Sequence, residues 1–194
     1  MQKLTRKETA ARTRAELLDA AETVFAEQGY GQASLERIAE RAGYTRGALY
    51  ASFAGKDDLF LAVLDRWLDR EIEDSRLIDA DDVEETLTRL RGREGNRFAD
   101  RRRFLLLSEF RLYALRNPAV ATRLAEHERR SRAWYAEAIR SRAGDRELPI
   151  DPDQLALYVL ALENGIATLG HLDPDEVDQH AFIDALGLLV RVLR

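Results

Sequence analysis

Apolar positions recur every three or four residues along almost the whole chain, and no run of four to eight residues alternates as a half-buried strand would. The pattern predicts helices throughout. The first carries Leu17, Ala20, Ala21, Val24 and Phe25 on one side, with Thr13 as its cap and Gly29 at its close. Ser34 caps a short second helix that turns Leu35, Ile38, Ala39 and Ala42 inward and stops at Gly43. Thr45 opens a third, which ends at Gly55. Asp57 and Asp58 suit the positive N-terminus of a long fourth, with Phe60, Val63, Leu64, Trp67 and Leu68 inside.

Further helices are predicted at about 82–91 and 98–116, the latter stopped by Asn117-Pro118. Pro118, Asp151-Pro152 and Asp173-Pro174 each open another, because proline fits a first helical turn. These run to about Ala143, Leu169 and the chain end. The fold class is all-α, with about nine helices and no strands.

Composition removes several functions. Without cysteine there are no disulfides and no thiolate metal sites. His127, His171 and His180 show no i, i+4 pairing with one another, and no glycine-rich phosphate loop or nucleophile elbow occurs. No catalytic group, metal site or cofactor is therefore expected, and the chain does not read as an enzyme. The first residues, MQKLTRKETAARTR, lack the apolar core of a signal peptide. No apolar run approaches the roughly 18 residues of a membrane span, so a cytoplasmic location away from membranes is expected.

Charge redirects the reading toward a partner. The net charge of −5 argues against nucleic acid, but residues 1–56 hold nine Lys/Arg against seven acids. All three lysines, Lys3, Lys7 and Lys56, lie in this basic head. The stretch TRGALYASFAGK, Thr45 to Lys56, has no acid at all. At 100° per residue its helix puts Ala48, Leu49 and Ser52 on one side and Arg46, Gly47 and Tyr50 on the other. An ordinary solvated face would carry Glu and Lys. Here a guanidinium that can grip a guanine edge, a bare backbone site and a phenol stand together. With only Gly43-Tyr44-Thr45 between two short helices, the spacing is that of a helix-turn-helix.

Residues 13–66 resemble the DNA-binding domain of the tetracycline-repressor (TetR) family of bacterial transcriptional regulators, from TRAELLDAAETVFAEQGY through SLERIAERAGYTRGALYASF to GKDDLFLAVL. The resemblance implies a homodimer with a helix-turn-helix head, here 1–56, and a helical effector-binding and dimerisation body, here 57–194. It implies that double-stranded DNA with a palindromic operator is the partner and that an unknown small effector controls binding. Ser34 and Thr45 match capping positions that touch phosphate, Arg46 and Gly47 base-reading positions, Tyr50 a groove or phosphate contact, and Lys56 a phosphate contact. Ser52 stands where the family often has a bulkier residue, although its hydroxyl can still donate. Taken singly, each of these is equally a cap or a solvated side chain. Residues 3–14 are either a basic arm or a frayed terminus.

In the body, LALYVLALENGIATLG and AFIDALGLLVRVL are apolar around more than half their circumference. One face suffices for a core. The second predicts two-fold pairing through about 152–169 and 175–193, the other possibility being a buried hairpin within one chain. Trp67, Phe104, Phe110, Tyr113, Trp134 and Tyr158 are candidate walls for a small, largely apolar ligand, with Glu163 and Asn164 as its polar contacts. By default the aromatics are core and Glu163 and Asn164 an interfacial pair. The functional expectation is a sequence-specific repressor released by its ligand. The rival is a helical protein-interaction module that does not bind DNA.

Overall fold

The computed structural model describes residues 5–76, 85, 87, 88, 91, 100–178 and 180–192. Among these, eight helices and no strands are found: α1 (Arg6–Gln32), α2 (Leu35–Arg41), α3 (Arg46–Ser52), α4 (Lys56–Arg76), α5 (Arg101–Leu115), α6 (Pro118–Ala143), α7 (Pro152–Leu172) and α8 (Ala181–Val192). The helix expected at 82–91 falls largely outside the described residues; 85, 87, 88 and 91 are helical.

Three helix starts differ from expectation, each for a local reason. α1 starts well before Thr13, because Thr5 and Glu8 form a reciprocal capping box, with Thr5 N donating to Glu8 Oε2 at 2.6 Å. α5 starts at Arg101, where the Asp100 carboxylate accepts from the backbone N–H groups of Arg102 and Arg103 at 3.0 and 3.2 Å. The Asp173-Pro174 pair does not open the last helix. It makes one turn, closed by Val177 N donating to Asp173 O at 3.0 Å, and α8 begins only at Ala181. By contrast, Asp151 caps α7 as predicted, accepting from Asp153 N and Gln154 N.

α7 also corrects the membrane expectation: by length and composition it could cross a bilayer. It nevertheless buries Leu155, Ala156, Val159, Glu163 and Ala167 against protein, and a carboxylate in that set does not suit lipid.

The chain forms two compact units, Met1–Asp69 with Leu105–His127, and Arg70–Phe104 with Glu128–Arg194. The core of the first joins Leu17, Val24 and Phe25 of α1, Ile38 of α2, Leu49 of α3, Phe60 and Val63 of α4, and Phe110 of α5. In the second, Val159 packs with Phe182 and Ile183, flanked by Tyr135, Ile166, Leu186 and Leu189.

Candidate nucleic-acid interface

The helix-turn-helix is built by caps and one deep anchor. Ser34 Oγ accepts from Arg37 N and Thr45 Oγ1 from Ala48 N, both at 3.2 Å. Between the helices Gly43 takes φ 74°, the left-handed conformation in which a Cβ is strained. That reversal lets Tyr44 N reach Ala39 O at 2.9 Å. Leu49 is fully buried and fixes how α3 lies. Arg14 of α1 holds the far end, donating to Ser52 O at 2.6 Å with its guanidinium 4.1 Å from the Phe53 ring centroid. Below the turn, the Tyr44 hydroxyl donates to Glu16, which also takes Arg12 at 2.8 Å. The Tyr44 bond, then the Arg12 bond, lower the Glu16 pKa.

On this frame Arg46, Gly47 and Tyr50 stand exposed, while Ser52 is half-buried. Arg46 Nη2 donates to the Tyr50 hydroxyl at 3.3 Å, its charge 5.4 Å from the Tyr50 ring centroid. Its Nη1 lies 2.7 Å from Glu36 Oε1 on α2. The Tyr50 bond, followed by the Glu36 charge, raises the Arg46 pKa. At Gly47 φ is ordinary and an added Cβ would meet only Thr45 Oγ1, at 3.7 Å. Nothing in the free protein requires glycine there.

Lys56, at the start of α4, is folded onto the end of α1. Its Nζ donates to Gly31 O at 3.0 Å and lies 4.7 Å from the centre of the Tyr30 ring. Burial lowers its pKa, against the opposing charges of Asp57 and Glu109. The Tyr30 platform depends on a break in α1. Gly29 adopts φ 75°, ψ 167°, a region open essentially to glycine alone. Tyr30 N then donates to Glu109 Oε2 at 2.9 Å, and its hydroxyl donates to Asp57. Its ring packs on Phe25, Phe60, Phe110 and Tyr113, at centroid distances of 4.8 to 6.0 Å.

Thus Ser34, Thr45, Arg46, Gly47, Tyr50, Ser52 and Lys56 lie within one unit. Sequence reasoning missed the supports, Arg14, Tyr44 and Tyr30, because their partners are distant in the chain. Glu16, 28 residues from Tyr44, leaves no mark in a local window.

The eight candidate ligand residues divide between the two units. Trp67 and Phe110 are core of the first unit, with Tyr113 packed against it. Trp67 also donates its Nε1 to Glu22 at 2.5 Å. Trp67 and Phe110 are buried, and Tyr113 is half-buried. Tyr158 is exposed on α7, its hydroxyl accepting from Gln154 at 2.7 Å. In the second unit, buried Glu163 accepts from the Tyr135 hydroxyl at 3.1 Å, and Trp134 meets Tyr135 edge-on at 4.7 Å. Asn164 Nδ2 donates back to Leu160 O at 2.7 Å. The Phe104 ring lies 4.5 Å from the His171 imidazole.

The fold and site define an all-helical, helix-turn-helix protein, and comparison with known proteins gives its family. Residues 17–63 match the model of bacterial regulatory proteins of the tetR family, and residues 96–192 that of the C-terminal region of BetI-type transcriptional repressors. The chain belongs to the TetR/AcrR family of transcriptional regulators. It is 48% identical over 59 residues to the HTH-type transcriptional regulator TtgR of Pseudomonas putida, a match spanning 30% of this chain and only 28% of TtgR. SmeT, the repressor of the Stenotrophomonas maltophilia multidrug efflux pump SmeDEF, is 28% identical with a TM-score of 0.57 over 90% of this chain and 86% of SmeT. A Rhodococcus sp. protein ascribed to the TetR family shares the fold at a TM-score of 0.75 and 24% identity, over 94% of this chain and 98% of its own.

Proposed function

We propose that this chain is a sequence-specific DNA-binding transcriptional repressor, released from a palindromic operator by a small, largely apolar ligand. Residues 1–56 read DNA, and 57–194 bind the effector and dimerise. The observation that carries the reading is the outward face of α3. It combines Arg46, Tyr50 and a glycine that no intramolecular contact demands. Arg46 suits a guanine edge, Gly47 lets backbone approach a base, and the Ser34 and Thr45 hydroxyls keep a proton to give phosphate while their oxygens cap helices.

Dimerisation has support in α7, whose exposed residues Leu157, Ala161, Gly165, Thr168, Leu169 and Leu172 follow one another along a single stripe. Leu188 of α8 is exposed as well. A two-fold pairing covers both. For the effector, Phe104, Trp134, Glu163 and Asn164 of the second unit are proposed among the wall and polar contacts. The ligand acts by preferring a form whose two heads miss successive major grooves, about 34–36 Å apart. Emptying a nearly full operator takes a preference of about 10⁴-fold, or about 5.5 kcal/mol.

The test is selection from a pool of randomised duplexes, followed by titration of the enriched site across salt. A palindrome should emerge, and Arg46→Ala should lose about 1–3 kcal/mol and relax one base position. No enrichment over the starting pool would leave the protein-interaction module as the better reading.

A further inference from the structure

Although α3 and its flanks carry no acid, the fold brings one to them. Glu36, in the first turn of α2, reaches across the turn to Arg46 Nη1 at 2.7 Å. The Glu36 side chain is 55% exposed and that of Arg46 61%. Exposed ion pairs of this kind contribute little to stability, so the fold does not need this one. A carboxylate beside a groove-reading helix also repels phosphate. Its presence there calls for a compensating role in recognition.

Counting donors supplies that role. A guanidinium has five N–H groups in a rigid plane. Tyr50 takes one at Nη2 and the Glu36 carboxylate pairs with the charge at Nη1, which leaves donors enough for the two-point contact to guanine O6 and N7. The two protein contacts come from different helices and hold the two terminal nitrogens. Freed from Glu36, the same long side chain can swing to a phosphate, which would raise affinity for any sequence. We propose that Glu36 is a positioning residue for DNA reading: it aims Arg46 at a base and keeps it off the backbone, so that affinity is exchanged for specificity. This rests on the assignment of α3 as the reading helix.

The test uses the full-length protein with Glu36→Ala and Glu36→Gln, beside wild type and the duplex that wild type selects. Melting curves should match wild type, as expected for an exposed pair. In both variants preference at the guanine read by Arg46 should fall about ten-fold, the scale of one two-point contact. On a scrambled duplex, affinity should rise and the slope of log K against log salt should steepen by about 0.9, one added phosphate contact. A merely structural role would move neither quantity. Unchanged preference and slope in both variants, with wild type still selecting its site, would overturn the role of Glu36 alone. A wild-type protein that selects no sequence would bring down the reading-helix assignment and this inference together.

Discussion

Gly47→Ala sets folding against recognition. In the free protein the added methyl meets nothing nearer than Thr45 Oγ1 at 3.7 Å, an ordinary van der Waals contact, and φ needs no change. Alanine in a helix is favoured over glycine by about 0.5–1 kcal/mol. For a chain of 194 residues that corresponds to a rise in Tm of roughly 1–4 °C. On DNA the sign reverses. If the backbone at 47 lies against a base or sugar, the methyl overpacks that contact, at about 1–3 kcal/mol. Operator affinity should therefore fall roughly 5- to 150-fold while stability rises. Urea melts followed by Trp67 fluorescence in a Trp134→Phe background report the first unit, where Trp67 is buried. Anisotropy with the selected duplex reports binding. A variant that is more stable and binds as tightly as wild type would refute close approach at Gly47, and with it the proposed seating of α3.

Lys56→Ala should shallow the salt slope by about 0.9 if the ammonium leaves Gly31 O for a phosphate. An unchanged slope with a lower Tm would mean the intramolecular bond is its whole role. Leu169→Glu and Leu188→Glu should convert a sedimenting species near twice 22.1 kDa into a folded monomer. These positions are cleaner tests than Leu189, which packs on the Val159–Phe182–Ile183 cluster. Burial, then the bond to Asp57, raise the Tyr30 pKa above its ordinary 10.0. The neutral phenol is thus favoured by folding, so its contribution is complete below about pH 10 and is lost as pH rises beyond it. Tyr30→Phe should lose about 1 kcal/mol at neutral pH and flatten the alkaline fall measured by urea melts, and an equally steep fall would discount the Tyr30 environment.

What the sequence disclosed followed the range of the forces involved. Caps at Ser34 and Thr45, the turn at Gly43 and the buried anchor Leu49 are fixed within a few residues of themselves, and all were legible. The two Asp-Pro pairs show the limit of that reasoning. Asp151-Pro152 opens 21 residues of helix. Asp173-Pro174 opens one turn, after which Val177 lies against Gly170, Cγ1 being 3.6 Å from where a Cβ would stand. The same dipeptide is overruled by packing onto the preceding helix. Glu36 was invisible for a related reason: it and Arg46 lie on different helices, and only the turn brings them together. The candidate pocket residues lie beyond the reach of such local reasoning. Trp67 and Phe110 have the composition of a pocket wall and of a core alike, and only their neighbours distinguish the two.

The seven residues of α3 divide unevenly between fold and surface. Leu49 is buried, Ala48 and Ser52 are half-buried, and Arg46, Gly47, Tyr50 and Ala51 are exposed. The helix ends are held through groups whose geometry does not depend on those four side chains: the Thr45 hydroxyl at one end, and the Ser52 carbonyl gripped by Arg14 at the other. If α3 reads DNA as proposed, evolution can rewrite the recognised sequence at these positions while the scaffold persists, and duplicated copies of such a gene can part company in their targets without passing through unfolded intermediates. The same partition makes a laboratory library practical. Randomising 46, 47, 50 and 51 with Thr45, Leu49 and Arg14 kept should yield mostly folded variants whose operators differ.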